Sequence, residues 1–230
     1  MAEISNYKVA ASPHQLDSSN TRKIMLDVLI ALLPCLVCGV VFFGLYAFLL
    51  VVICVATCFV SEQIYNLIRK KPLTFDLSAV VTGLILGLNL PPRAPWYIPV
   101  IGGVFAIIVV KMLFGGLGKN FANPAATARV FLLLAYSSLM TQYIGADIAG
   151  NILSTDTVTA PTYLGGGTAA LAGEFWGVRD YWGYVLQLLF GYVGGCIGET
   201  CKVAVIAGAV YLTARRVIDW RIPLVYLLTA

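Results

Sequence analysis

The chain has 230 residues, of which 60% are hydrophobic and 11% charged, and its net charge is +4. A soluble domain carries about 25% charged residues, so this composition excludes a water-soluble globule and points to an integral membrane protein of one domain. The positive charge lies in short clusters between apolar runs, which is an orientation signal in a bilayer, and no basic and aromatic patch points to nucleic acid.

Residues 1–23 form a polar arm containing Ser12-Pro13-His14 and ending in Arg22-Lys23. The arm has no apolar stretch ahead of a small-residue cleavage site, so no cleaved signal peptide is expected. Residues 24–43 form a first apolar run, long enough to cross a hydrocarbon core of ~30 Å. It holds Asp27 near its start and Pro34 as a bend point, and Gly44 marks a tight turn. Residues 45–68 form a second span, with Glu62 before the cluster Arg69-Lys70-Lys71.

Residues 76–90 form a short third segment, where Gly83 and Gly87 let another helix come close. A fourth span, 96–114, opens on an interfacial Trp-Tyr pair. The Gly- and Asn-rich stretch 115–123 cannot be regular helix, and it leads into a short fifth segment, 125–139. Residues 141–181 then form a long polar loop.

The basic clusters place the N-terminus in the cytoplasm and the 141–181 loop outside. Two crossings between residues 184 and 212 would put Arg215-Arg216 on the wrong side. The arrangement expected instead is a half-helix over 184–196 entering from outside, a turn at glycines, and one crossing that ends at Arg215. The apolar run 222–230 is too short to cross a bilayer, so further C-terminal helices are expected.

The polar loop contains Asp156-Thr157-Val158-Thr159-Ala160-Pro161-Thr162-Tyr163-Leu164. A loop of this length is functional or disordered. Composition alone reads it as a solvated surface loop.

Several ordered motifs shift that balance. They are Ser12-Pro13-His14; Met25-Leu26-Asp27 running on to Pro34; Asp76-Leu77-Ser78-Ala79 with Thr82-Gly83; Leu90-Pro91-Pro92; Gly115-Gly116-Leu117-Gly118 with Asn123-Pro124-Ala125; Gly198-Glu199-Thr200; and Trp220-Arg221-Ile222-Pro223-Leu224. Over nearly the whole chain this set resembles the family of D subunits of the Rnf ion-translocating electron-transport complex, homologous to the B subunits of the sodium-pumping NADH:quinone oxidoreductase. The short arm favours the Rnf branch.

The resemblance implies an all-α polytopic membrane protein, with short or broken helices and inverted repeats on a urea-transporter-like scaffold. It implies FMN joined through its phosphate to a threonine, in a pattern near Asp-x-x-Ser/Thr-Gly-Ala-Thr. Here Asp156, Thr159 and the acceptor Thr162 are in register, with Ala160 and Pro161 replacing Gly and Ala. It also implies a second, non-covalent riboflavin. The partners it implies are the FMN-bearing G subunit, the A, E and C subunits, and membrane lipid, in a bacterial or archaeal inner membrane. Gly165-Gly166-Gly167 would let backbone approach a phosphate or ring, and Tyr163, Phe175 or Trp176 could stack on the isoalloxazine.

Two functions lead on the sequence, and a scaffold-only role stays open as a third because the chain has no nucleophile and base pair or NAD fingerprint of its own. One is a flavoprotein subunit of an Rnf-type ferredoxin:NAD+ oxidoreductase, relaying electrons coupled to Na+ or H+ translocation. The other is a channel or transporter for a small solute, which broken helices would equally suit. Asp27, Glu62 and Asp76 are expected to be wet, near basic residues at cytoplasmic helix ends, while Glu199 beside a Gly-rich break is the better ion-path residue. Cys35, Cys38, Cys54 and Cys58 fall at one-turn spacings on a hairpin and could hold an iron–sulfur cluster, though cysteine is also a common small buried residue.

Overall fold

The computed structural model describes residues 21–70, 75, 77–143, 186, 189–191 and 194–229. All regular secondary structure among them is helical. The chain is an all-α polytopic membrane protein with two long apolar helices and several short ones.

α1 (Thr21–Phe43) and α2 (Leu45–Ile68) are antiparallel about Gly44, whose φ of 79° suits glycine. At 1.5 Å per residue each is ~35 Å long and able to cross a bilayer. α1 runs through Pro34 without a break. It buries Asp27, Ala31, Cys35 and Gly39, four residues apart, so one narrow stripe faces protein. The buried face of α2 runs from Ala47 through Cys54 and Cys58 to Glu62 and Asn66. Leu49, Val52, Val60 and Ile64 are exposed, as suits a lipid-facing surface.

α3 (Ser78–Leu88) lies along α2. A Cβ on Gly83 would stand 2.7 Å from Val55 Cα, and one on Gly87 3.1 Å from Val51 Cα, so the glycine pair permits the close approach expected of it. α4 (Tyr97–Val104) continues without a break into a π-helix (Phe105–Met112), which the apolar pattern of the sequence does not reveal. The wider winding shows in the Leu113 N–H bond to Ile108 O at 3.1 Å.

The 113–123 stretch turns at Gly115, Gly116 and Gly118, all with positive φ. The Asn123 side chain caps α5 (Pro124–Ala135) by accepting from Ala125 N–H at 3.0 Å. Phe105 and Phe131 stack with centroids 4.1 Å apart and join α5 to the π-helix. A short α6 (Ser137–Met140) follows a break at Tyr136.

After an irregular stretch at 194–201 the chain forms α7 (Lys202–Ala214) and α8 (Arg221–Thr229). α7 packs on α1, and a Cβ on Gly208 would lie 2.5 Å from Ala31 O. This contact brings Arg215 to Asp27, at the end of the bundle where α1 begins. Of the half-helix expected over 184–196, residues 186, 189 and 190 are helical, Gly191 turns with a φ of 93° and 194–196 are irregular, while 184, 185, 187, 188, 192 and 193 lie outside the described residues.

Candidate functional site

The flavin-motif residues Asp156, Thr159 and Thr162 lie outside the described residues, as do Tyr163, the three glycines after it, Phe175 and Trp176. The described chain leaves at Tyr143 and has rejoined by Gly194, apart from residues 186 and 189–191. These two edges meet on Arg129 of α5. Its Nη2 donates to Tyr143 Oη at 3.3 Å and to Cys196 Sγ at 3.3 Å, and its Nη1 donates to Met140 Sδ at 3.8 Å.

Residues 194–201 form the centre of the site. Ile197 N–H donates to Leu90 O at 3.1 Å and Gly198 N–H to Leu88 O at 2.8 Å, so this stretch covers carbonyls left open where α3 ends. Gly198 fits against Leu88 and Gly39 of α1 against Ile197 O, where a Cβ would come to 2.7 and 2.6 Å. Irregular backbone inside a membrane domain is thereby satisfied by protein. Glu199 lies over Gly195, where a Cβ would come to 2.8 Å from its Oε1. The Thr200 hydroxyl is buried and has no hydrogen-bond partner among the described residues.

Beside this stretch is a cavity of about 400 Å³. Ala31 and Cys35 of α1, Leu88 and Asn89 at the end of α3, Glu199, and Gly208 and Leu212 of α7 contribute to its wall. Most of the lining is apolar, with polar groups from Asn89, Glu199 and Thr213. A cavity of this size with a mostly apolar wall and a few polar groups has the general character of a small-molecule site.

A second polar cluster sits where α2, α3 and the π-helix meet. Lys111 Nζ lies 2.6 Å from Glu62 Oε1 and 2.6 Å from Ser78 Oγ, with all three residues at most 4% exposed. Glu62 is therefore not wet, as its place before a basic run suggested, because a lysine 49 residues away takes it into the core. Lys111 was missed by sequence reasoning; the signal available was one cation inside an apolar run. Asp27 is also largely buried, and it accepts from Arg215 Nε at 3.3 Å and Tyr211 Oη at 3.2 Å. Asp76 lies outside the described residues.

Among the described residues no three His, Cys, Asp or Glu side chains come together as a metal-binding group. The four thiols proposed for a cluster diverge. Cys58 points to Gly103 O at 3.9 Å across the α2–α4 contact, away from α1.

A family model for the NQR2, RnfD, RnfE family matches residues 8–230. The chain is 45% identical over 227 residues to the D subunit of the Na(+)-translocating ferredoxin:NAD(+) oxidoreductase complex of Acetobacterium woodii, covering 97% of this chain and 67% of that one. It is 35% identical over 225 residues to the D subunit of the proton-translocating ferredoxin:NAD(+) oxidoreductase complex of Clostridium ljungdahlii, covering 95% and 66%. It is 37% identical over 240 residues to the D subunit of an ion-translocating oxidoreductase complex of Stutzerimonas stutzeri, covering 92% and 65%. The chain thus spans about two thirds of the length of these relatives. Motif order, helical architecture and a match over almost every residue agree, and the chain belongs to the NQR2, RnfD, RnfE family.

Proposed function

We propose that this chain is a flavoprotein subunit of an Rnf-type ferredoxin:NAD+ oxidoreductase, relaying electrons in a complex that moves Na+ or H+. The observation that carries it is the 45% identity, over 97% of the chain, to the D subunit of such a complex. Thr162 carries FMN as a phosphoester, with Asp156 and Thr159 as parts of the recognition motif. The flavin supplies the redox chemistry when bound, and the protein supplies position and electrostatics.

The described residues suit such a group in two places. Arg129 stands where the two edges of the loop meet, with donors turned to weak acceptors only. The cavity beside Asn89 and Glu199 is the place for a non-covalent riboflavin, with the apolar wall taking the ring and the carboxamide and carboxylate its polar edge. The partners are the G, A, E and C subunits of the complex. The membrane is the bacterial or archaeal inner membrane, with the N-terminus cytoplasmic and the loop outside.

The test is a denaturing gel viewed under ultraviolet light, with the subunit expressed beside a flavin transferase. A fluorescent band in wild type that disappears in Thr162→Ala supports the assignment. A band surviving in Thr162→Ala, or none in wild type, removes it. The solute-channel reading draws on the same cavity and broken helices, and it requires the purified protein to be colourless.

A further inference from the structure

We propose that the end of the bundle where α1 begins and α7 ends is a binding site for an anionic phospholipid, whose phosphodiester is taken by Arg215, Arg216 and Lys23. The inference stands apart from the flavin reading and uses a basic cluster that the flavin reading leaves without a role.

α7 ends in a turn that glycine normally makes. Val217 N–H donates to Leu212 O and Arg216 N–H to Thr213 O, both at 3.0 Å, which is the Schellman pattern. The residue at its left-handed position is Arg216, with a φ of 56°. A side chain is strained there and glycine is not. α2 ends at the same face in a similar way, with Arg69 followed by Lys70 at a φ of 52°. The helix dipole and the orientation rule favour a cation near each of these ends, but neither requires it at the strained position. Backbone outliers of this kind cluster at ligand clamps.

The turn is held against α1. Asp27 accepts from Arg215 Nε at 3.3 Å, from Arg215 Nη2 at 3.4 Å and from Tyr211 Oη at 3.2 Å. These bonds use two of the five N–H groups of a guanidinium and fix its place. Lys23 lies one turn before Asp27 on the same face of α1, so Lys23 and Arg215 flank one carboxylate. Arg22, Lys23, Arg215 and Arg216 are exposed, and with Arg221 they set five positive charges against Asp27 and Asp219. Residues 1–20 add Glu3, Asp17 and Lys8, one net negative charge, so this end stays cationic even with the arm folded over it. The acidic loop after Tyr143 has its described edges beyond the other end of α7, ~20 Å away at 1.5 Å per residue.

The surroundings suit a lipid. Leu26 and Ile30 on α1 and Ile206 and Val210 on α7 are exposed beside the α1–α7 contact and offer acyl chains an apolar surface. Trp220 is exposed a few residues past Arg216, as an indole is among headgroups. The guanidinium fork matches the oxygens of a phosphodiester. A cationic cluster repels a choline or ethanolamine headgroup and favours one with no positive charge, as in phosphatidylglycerol.

The test uses the assembled complex with the full-length subunit, in phosphatidylcholine vesicles carrying a trace of lipid with a diazirine in its acyl chain. The labelled lipid is either phosphatidylglycerol or phosphatidylcholine, and adducts are mapped by peptide mass. Phosphatidylglycerol should label the peptides around Ile30 and Val210 at least about fivefold more than phosphatidylcholine does. Arg216→Gly removes a cation and relieves the backbone, so labelling by phosphatidylglycerol should fall about fivefold while the melting temperature stays at or above wild type. Arg215→Gln should lower the labelling likewise, and Lys119→Gln, which removes an exposed cation on another turn, should leave it unchanged. If Arg215→Gln does not assemble, Arg216→Gly decides. Equal labelling by the two lipids, unchanged labelling in Arg216→Gly, a loss there accompanied by a lower melting temperature, or an equal loss in Lys119→Gln overturns the site. Labelling abolished by excess inorganic phosphate at constant ionic strength shows a free-phosphate site and overturns the lipid assignment.

Discussion

Lys111 and Glu62, on helices 49 residues apart in sequence, meet at 2.6 Å with side chains only 2% and 5% exposed. A buried pair of this kind gains little over an apolar substitute, but removing one partner strands the other charge. Lys111→Met or Glu62→Leu alone should therefore destabilise by about 3–5 kcal/mol, and the double variant by clearly less. Thermal unfolding of the detergent-purified protein in a double-mutant cycle checks this. Additive losses would mean that the pair is not coupled.

The α2–α3 contact depends on the absence of two side chains. Gly83→Ala places a methyl 2.7 Å from Val55 Cα, a backbone atom that cannot rotate away. Gly87→Ala meets Val51 Cα at 3.1 Å. Overpacking of this kind costs about 1–3 kcal/mol, and Gly83→Ala should be the worse of the two. The order of their melting temperatures tests the claim.

The Thr200 hydroxyl is buried and unpartnered among the described residues, and a hydroxyl so placed costs more than a methyl of the same shape. Thr200→Val should leave the cofactor-free protein as stable as wild type, or more stable by up to about 1 kcal/mol. A marked loss of melting temperature would show that the hydroxyl does have a partner in solution.

If the cavity takes riboflavin, filling it should evict that molecule alone. Ala209 is part of its lining on α7. Ala209→Phe should lower the flavin released on acid denaturation several-fold and leave the fluorescent gel band at wild-type strength. Unchanged release would locate any loosely held flavin elsewhere.

The Arg215–Asp27 contact gives a topology test. Arg22→Cys and Arg215→Cys should label from the same membrane face, because Asp27 on the first turns of α1 holds Arg215 at 3.3 Å. Loss of the contact itself should cost no more than about 1 kcal/mol, since the arginine side chain is 57% exposed.

Much of the helical layout was legible as apolar runs. The second span matches α2 residue for residue, and the Gly83–Gly87 spacing announced a close contact. The π-helix was not legible, because its wider winding breaks no composition rule and an apolar run reads the same in either helix. Glu62 was misjudged because its neighbours in sequence are basic and near a helix end, whereas its partner in space comes from a different helix. Arg129 gave no local signal either: its contacts are 11, 14 and 67 residues away, and only the folded chain brings them to one guanidinium. The threonine motif came from resemblance, since a loop rich in hydroxyls looks the same with or without a cofactor.

The two backbone bonds from Ile197 and Gly198 to the end of α3 also impose an order on biogenesis. When α1 to α3 enter the membrane, the carbonyls of Leu88 and Leu90 have no partner from residues 197 and 198, because those have not yet been synthesised. Until then water, lipid headgroups or the insertion machinery must cover them. Chains stalled on the ribosome before residue 197 should stay open to protease and to chaperone capture, and those stalled well beyond Gly198 should close. The end of α3 is thus covered by a stretch from the second half of the chain.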